Sequence, residues 1–241
     1  MNLLIDIGNS KAKIAIAGAD GIRFLCSISK PVLEDFETIL LENAEADGGI
    51  LVSSGPCPKG LPDLLKTRFS RFLELTHKTP VPMEVVYDTK ETLGMDRISA
   101  AIGAVSIQPG KDLLVISAGT AITFDLVTRE GKFLGGNISP GIEMRFRALH
   151  QFTDKLPMVS KNSAFPLLGS STQQALLSGV MNGVLFELEG YIHSLQQQYA
   201  QLTTLLTGGD AIFLSTLLKS DHIIDLNLNF TGLNRILEYN C

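Results

Sequence analysis

The chain has 241 residues, a formal net charge of −5, 45% hydrophobic and 19% charged residues, and three cysteines. Its acidity and the lack of any basic run argue against a nucleic-acid partner, and no apolar run approaches the roughly 18 residues of a membrane-spanning helix. Cys26, Cys57 and Cys241 lack CxxC or Cys-His grouping, which excludes a disulfide framework or zinc site, and without a signal-peptide pattern the expected location is the cytoplasm.

Residues 3–18, LLIDIGNSKAKIAIAG, read as a tight β-hairpin. An apolar strand runs into Asp6, Gly8, Asn9 and Ser10 make the turn, and Ala12, Ile14 and Ile16 then alternate with Lys11, Lys13 and Ala15. Gly8 lets a ligand approach the backbone, and N–H groups around Asn9 and Ser10 without strand partners suit a phosphate. Asp6 puts a carboxylate at the same spot, and a carboxylate beside a phosphate cradle commonly holds Mg²⁺. The other reading is an ordinary Asp-stabilised turn.

A third strand is expected over 22–28, then a helix opened by Pro31, with Val32, Leu33, Phe36, Ile39 and Leu40 on one face and Gly48-Gly49 closing it. Residues 50–53 read as a buried strand, 62–69 as a helix, 72–75 as a strand, and 85–87 as an extended segment behind the prolines of 79–82. Gly94, Met95, Asp96 and Arg97 open a small-residue helix carrying Ile98, Ala101, Ile102 and Val105. At a bare helix start Asp96 would be an N-cap and Arg97 a surface partner. Its place between two copies of a phosphate turn makes Asp96 a candidate cleft residue instead.

The second copy is residues 113–131, LLVISAGTAITFDLVTREG. Placing Gly8 on Gly119 puts Asn9 on Thr120 and Asp6 on Ser117. One repeat of this size implies a duplicated unit rather than a solenoid, with halves at 1–108 and 109–241 and two turns clamping one polyphosphate. Residues 132–140 carry Gly-Gly-Asn and Ser-Pro punctuation, a helix starts at Pro140 or Gly141, and 153–166 is a loop. Residues 170–198 form a long helix whose Gly179, Gly183 and Gly190 permit close packing. A strand ending in Gly-Gly-Asp at 208–210 is a candidate seat for adenine or ribose, and a helix over 231–239 ends the second half.

Asp-x-Gly-Asn-Ser, Gly-x-Asp-Arg, Ala-Gly-Thr-Ala-x-Thr, Gly-Gly-x-Ile-x-Pro-Gly and Thr-Gly-Gly-Asp, in this order over essentially the whole chain, resemble type III pantothenate kinase. The resemblance implies an α/β, actin-like ATPase fold with two duplicated ribonuclease H-like halves around a nucleotide cleft. It implies a homodimer that moves the ATP γ-phosphoryl to the terminal hydroxyl of pantothenate, the first step of coenzyme A synthesis. Carried over by residue, it places ATP on Asp6, Ile7, Gly8, Asn9, Ser10, Lys11, Ala12, Lys13 and Thr120, and Mg²⁺ at Asp6. It places pantothenate on Tyr87, Gly94, Met95, Asp96, Arg97 and Thr172, with Asp96 as general base. Arg97 would pair with either the substrate carboxylate or the transferring phosphoryl group. At Ser117 the family pattern has an Asp that implies a site for potassium or ammonium; serine is uncharged, so the expectation is that potassium becomes largely dispensable. Another small-molecule kinase of this fold, or a non-catalytic nucleotide-binding regulator, would share the phosphate turns.

Overall fold

The computed structural model describes residues 1–241, which divide into two compact units. The first comprises Met1–Pro109, Gly131–Leu134 and Asn227–Cys241; the second comprises Gly110–Glu130 and Gly135–Leu226.

In the first unit β1 (Asn2–Ile7), β2 (Lys11–Gly18) and β3 (Gly21–Ser29) form an antiparallel meander. Then come α1 (Leu33–Glu42), β4 (Gly48–Ser53), α2 (Leu61–Arg68), β5 (Arg71–Glu74), the short β6 (Glu84–Val85) and α3 (Met95–Ile107). The sheet order is β3-β2-β1-β4-β5, with β4 parallel to β1 and to β5. Leu3, Ile5 and Ile7 enter a core with Phe36 and Ile39 of α1 and Leu61 and Leu65 of α2. Strand alternation therefore turns Asn2, Leu4 and Asp6 to the opposite face. Gly48-Gly49, expected to close a helix, instead open β4, and α1 ends at Glu42. A Cβ at Gly49 would lie 2.4 Å from the Phe69 ring, so this glycine is required by packing across the strand.

The second unit contains β7 (Leu113–Ala118), β8 (Ala121–Val127), most of β9 (Lys132–Pro140), α4 (Ile142–Gln151), α5 (Thr172–Gln196), β10 (Thr203–Thr207), α6 (Ala211–Ser215) and β11 (Ile223–Ile224). Its strand order, β9-β8-β7-β10-β11, repeats that of the first sheet, with the β7–β8 hairpin antiparallel like β1–β2 and β10 parallel to β7 and to β11 as β4 is to β1 and to β5. The sequence repeat is thus a repeat of topology. Leu114, Ile116, Ile122 and Phe124 pack with Phe146 of α4 and Val180, Val184 and Leu188 of α5. Residues 132–140, expected as punctuation, are a strand: a Cβ at Gly136 would lie 1.6 Å from the Phe124 carbonyl oxygen, so glycine allows the close approach of β9 to β8. The first residues of β9, Lys132 and Phe133, pair with β6 in the first unit. Within the chain, Gly179 and Gly190 of α5 have nothing near enough to explain them as close-packing positions.

The last helix, α7 (Leu228–Asn240), starts three residues before the expected Thr231 and belongs to the first unit. It crosses α3 almost backbone to backbone: a Cβ on Gly103 would lie 2.0 Å from the Leu228 carbonyl oxygen, and one on Gly232 would lie 1.7 Å from that of Ser99. Across β1, Asn2 donates to Asn234 of α7 at 2.8 Å. No helix is long and apolar enough to cross a membrane.

Candidate active site

The turn between β1 and β2 is closed by the Gly8 N–H donating to the Lys11 carbonyl at 3.0 Å, with Asn9, Ser10 and Lys11 exposed around it. It is backed by a segment that sequence reading missed. The N–H groups of Ser54 and Gly55 donate to the Ile7 carbonyl at 2.8 and 3.2 Å, and a Cβ on Gly55 would lie 2.3 Å from the Gly8 oxygen. A Ser-Ser-Gly stretch after a strand is a generic loop in sequence, so only the parallel pairing of β1 with β4 reveals its place.

Asp6 sits one residue before the end of β1, only 9% exposed, and its Oδ2 accepts a hydrogen bond from Asn229 Nδ2 at 3.1 Å. Burial pushes its pKa above the ordinary aspartate value, the Asn229 bond and the positive charge of Lys13 oppose the rise, and the negative charge of Asp96 adds to it. A cation beside Asp6 would offset both burial and the second carboxylate. No group of three or more His, Cys, Asp or Glu could hold a metal ion by itself. That donor set fits Mg²⁺, which is commonly held by one or two carboxylates together with nucleotide phosphates and water.

Asp96 lies in the first turn of α3, but the N-cap is Gly94. The Asp96 carboxylate folds back so that Oδ1 accepts the Arg97 N–H at 3.0 Å, and a Cβ on Gly94 would lie 2.5 Å from that oxygen. Glycine at 94 therefore leaves room for this carboxylate conformation. Arg97 is not at the surface: it is 6% exposed, with its guanidinium carbon 5.9 Å from the Tyr87 ring centre and 5.8 Å from that of Phe133. Two aromatic faces favour and orient the cation. Phe133 was not legible as a site residue, because an apolar side chain in a strand carries no functional signal. Gly94 and Met95 also line a cavity of about 260 Å³ with Ser53, Ser54 and His77.

In the second unit the corresponding turn is one residue shorter, closed by the Gly119 N–H to the Ala121 carbonyl at 2.9 Å. Thr120 is exposed, and its carbonyl accepts from Gly141 N–H at 3.1 Å. Strand register places Ser117 where the first unit has Asp6: the row Val52–Asp6–Lys13 becomes Thr207–Ser117–Thr123. Three hydroxyl side chains thus share one face of three adjacent strands. Asp125, fully buried, follows two residues after Thr123 and so lies on that same face. Thr172 is exposed as the first residue of α5, after the N-cap Ser171, whose Oγ accepts from the Gln174 N–H at 3.3 Å.

A sequence model of the family described as type III pantothenate kinase matches residues 2–194. A protein of that name from Phocaeicola vulgatus is 44% identical over 240 residues, covering 100% of this chain and 99% of the relative. Among solved structures, a Campylobacter jejuni protein described as a candidate Baf family transcriptional activator is 27% identical with a TM-score of 0.62, over 99% of this chain and 98% of that one. A glucokinase from an Antarctic psychrotroph aligns with a TM-score of 0.53 at 11% identity, over 99% of this chain and 98% of the other, and speaks to the fold alone. That fold is the actin-like ATPase and sugar-kinase fold.

Proposed function

Because the chain belongs to the type III pantothenate kinase family, we propose that it transfers the γ-phosphoryl group of ATP to pantothenate and makes 4'-phosphopantothenate for coenzyme A synthesis. The observation that carries the assignment of roles is the pair of carboxylates in the first unit, a buried Asp6 that feels the negative charge of Asp96 at the start of α3. Two such groups suit one phosphoryl transfer, one for the metal–nucleotide and one for the alcohol.

In this reading the residues from Asp6 to Lys13 hold the ATP phosphates, the exposed turn amides and Lys11 and Lys13 supplying positive potential. Thr120 is assigned to the same nucleotide. Asp6 would hold Mg²⁺, whose contribution is to neutralise phosphate charge. Asp96 accepts the proton of the pantothenate hydroxyl as its oxygen bonds to the γ-phosphorus and the bond to the bridging oxygen of ADP breaks. That hydroxyl proton becomes acidic as the new bond forms, so a carboxylate within reach can take it. Arg97, held between Tyr87 and Phe133, presents a preoriented cation to an anionic group of the substrate or of the transferring phosphoryl. Gly94, Met95 and Thr172 complete the assigned pantothenate contacts.

Action in the cytoplasm and a homodimer are part of the same proposal. The dimer is supported by large apolar side chains exposed on the second unit, among them Phe152, Leu168 and Phe186 at 86%, 85% and 63%.

A coupled assay of ADP release with and without pantothenate tests the reaction, and pantothenate-independent or absent turnover would overturn it. Asp96→Asn is expected to retain binding of both substrates and to lose about 10²- to 10⁴-fold in kcat. Near-parent kcat in that variant would remove Asp96 from the chemistry.

A further inference from the structure

Asp6 is reached by a side chain from the far end of the sequence. Asn229 Nδ2 donates to Asp6 Oδ2 at 3.1 Å, and the Ser99 hydroxyl lies 3.2 Å from Asn229 Oδ1. Ser99 is fully buried, and its hydroxyl also lies 3.0 Å from the Asp96 carbonyl oxygen, in the turn that carries the base. An ionised carboxylate only accepts, so Asn229 must present its NH₂ group to Asp6, which turns its carbonyl toward the Ser99 hydroxyl. The Asn229 amide donates to Asp6, while the single Ser99 proton is shared between Asn229 Oδ1 and the Asp96 carbonyl. The bond from Asn229 occupies Oδ2 of Asp6, orients the carboxylate plane and leaves Oδ1 outside that bond.

Asn229 is delivered there by backbone packing. The α3–α7 crossing has no room for a Cβ at Gly103 or Gly232, so the helices meet closely on either side of the Ser99–Asn229 contact. The bond between Asn2 and Asn234 fixes α7 against the beginning of β1, as Asn229 fixes it against the end. Residues 228–240 lie beyond the 2–194 matched by the family model, so the site draws on a part of the chain that the model does not describe.

We propose that Asn229, aligned by Ser99, is a positioning residue that sets the Asp6 carboxylate for the Mg²⁺–nucleotide, an inference that rests on the reading of Asp6 as the metal carboxylate. Partners that orient a metal-binding carboxylate through hydrogen bonds typically contribute about 10- to 100-fold in metal affinity or activity.

The test uses the full chain, Mn²⁺ as the probe ion and a non-hydrolysable ATP analogue, with free Mn²⁺ followed by electron paramagnetic resonance. Asn229→Leu keeps the approximate volume and removes the donor. It is expected to raise the Mn²⁺ dissociation constant about tenfold or more and to lower kcat, with KM for pantothenate unchanged. Ser99→Ala should move the same quantities in the same direction by less. A merely structural role would lower the melting temperature of either variant without changing Mn²⁺ affinity in the folded fraction. Asp6→Asn separates the two levels of the reading: if it leaves Mn²⁺ binding intact, the assignment of Asp6 fails. If Asp6→Asn weakens binding while folded Asn229→Leu binds like the parent, the positioning role alone fails. Should the leucine variant not fold, Ser99→Ala decides: weakened Mn²⁺ binding upholds the inference and parent affinity overturns it.

Discussion

Ser117 and Asp6 occupy equivalent register positions in the two units, and they differ by a full negative charge. Around Ser117 the neighbours along the row are Thr123 and Thr207, so the row offers neutral oxygens only. Neutral oxygen ligands hold a monovalent ion more weakly than a carboxylate does. ATP turnover is therefore expected to differ little between potassium and sodium at constant ionic strength, while Ser117→Asp introduces a saturable dependence on potassium. Strong activation of the parent protein at low millimolar potassium would defeat this expectation, and Asp125, on the same strand face, would be the residue to vary next. Gly94 acts differently at this scale: its missing Cβ leaves room for the Asp96 carboxylate, which the Arg97 N–H holds at 3.0 Å.

At the scale of elements, the α3–α7 crossing is the feature on which the first unit's site depends. A helix pair normally keeps 8–10 Å between axes to accommodate side chains; here two glycines let carbonyl oxygens approach the facing Cα positions. Overpacking a core usually costs about 1–3 kcal/mol and sometimes more. Gly232→Ala, whose Cβ would meet a backbone oxygen rather than a movable side chain, is placed at the upper end, about 3 kcal/mol. For a chain of this size each kcal/mol shifts the melting temperature by about 2–4 °C, so calorimetry should read a fall of roughly 6–12 °C. An unchanged melting temperature would mean that the crossing is looser than described. The same substitution should displace Asn229 and weaken Mn²⁺ binding in whatever fraction stays folded.

For the whole molecule, the exposed apolar side chains are concentrated on the second unit, where Phe186 stands on α5 in line with Gly179 and Gly190 at helical spacing. Exposed apolar area of this kind marks an interaction surface, and bare glycines beside a protruding ring suit a second helix. The proposed homodimer predicts that Phe186→Glu converts dimer to monomer in light scattering at micromolar concentration while circular dichroism stays that of the parent. A parent protein that is monomeric under those conditions would reject the homodimer outright.

Local sequence determined the two β-hairpins, because period-two alternation on either side of a Gly-polar turn specifies strand, turn and strand with short-range information alone. It also placed Asp6 and Asp96 at the ends of their elements, and the repeat between residues 3–18 and 113–131 foretold the duplicated strand order. Tertiary structure decided what depends on neighbours distant in the chain. Gly48-Gly49 resemble a helix stop, yet they are strand residues because Phe69 covers Gly49. Phe133 looks like any core aromatic until it meets Arg97, 36 positions earlier. Asn229 carries no local signal, since an asparagine near a helix start reads as a cap. Its role arises only when Gly103 and Gly232 bring α7 onto α3 and beneath β1, a packing arrangement in which the missing side chains matter as much as those present.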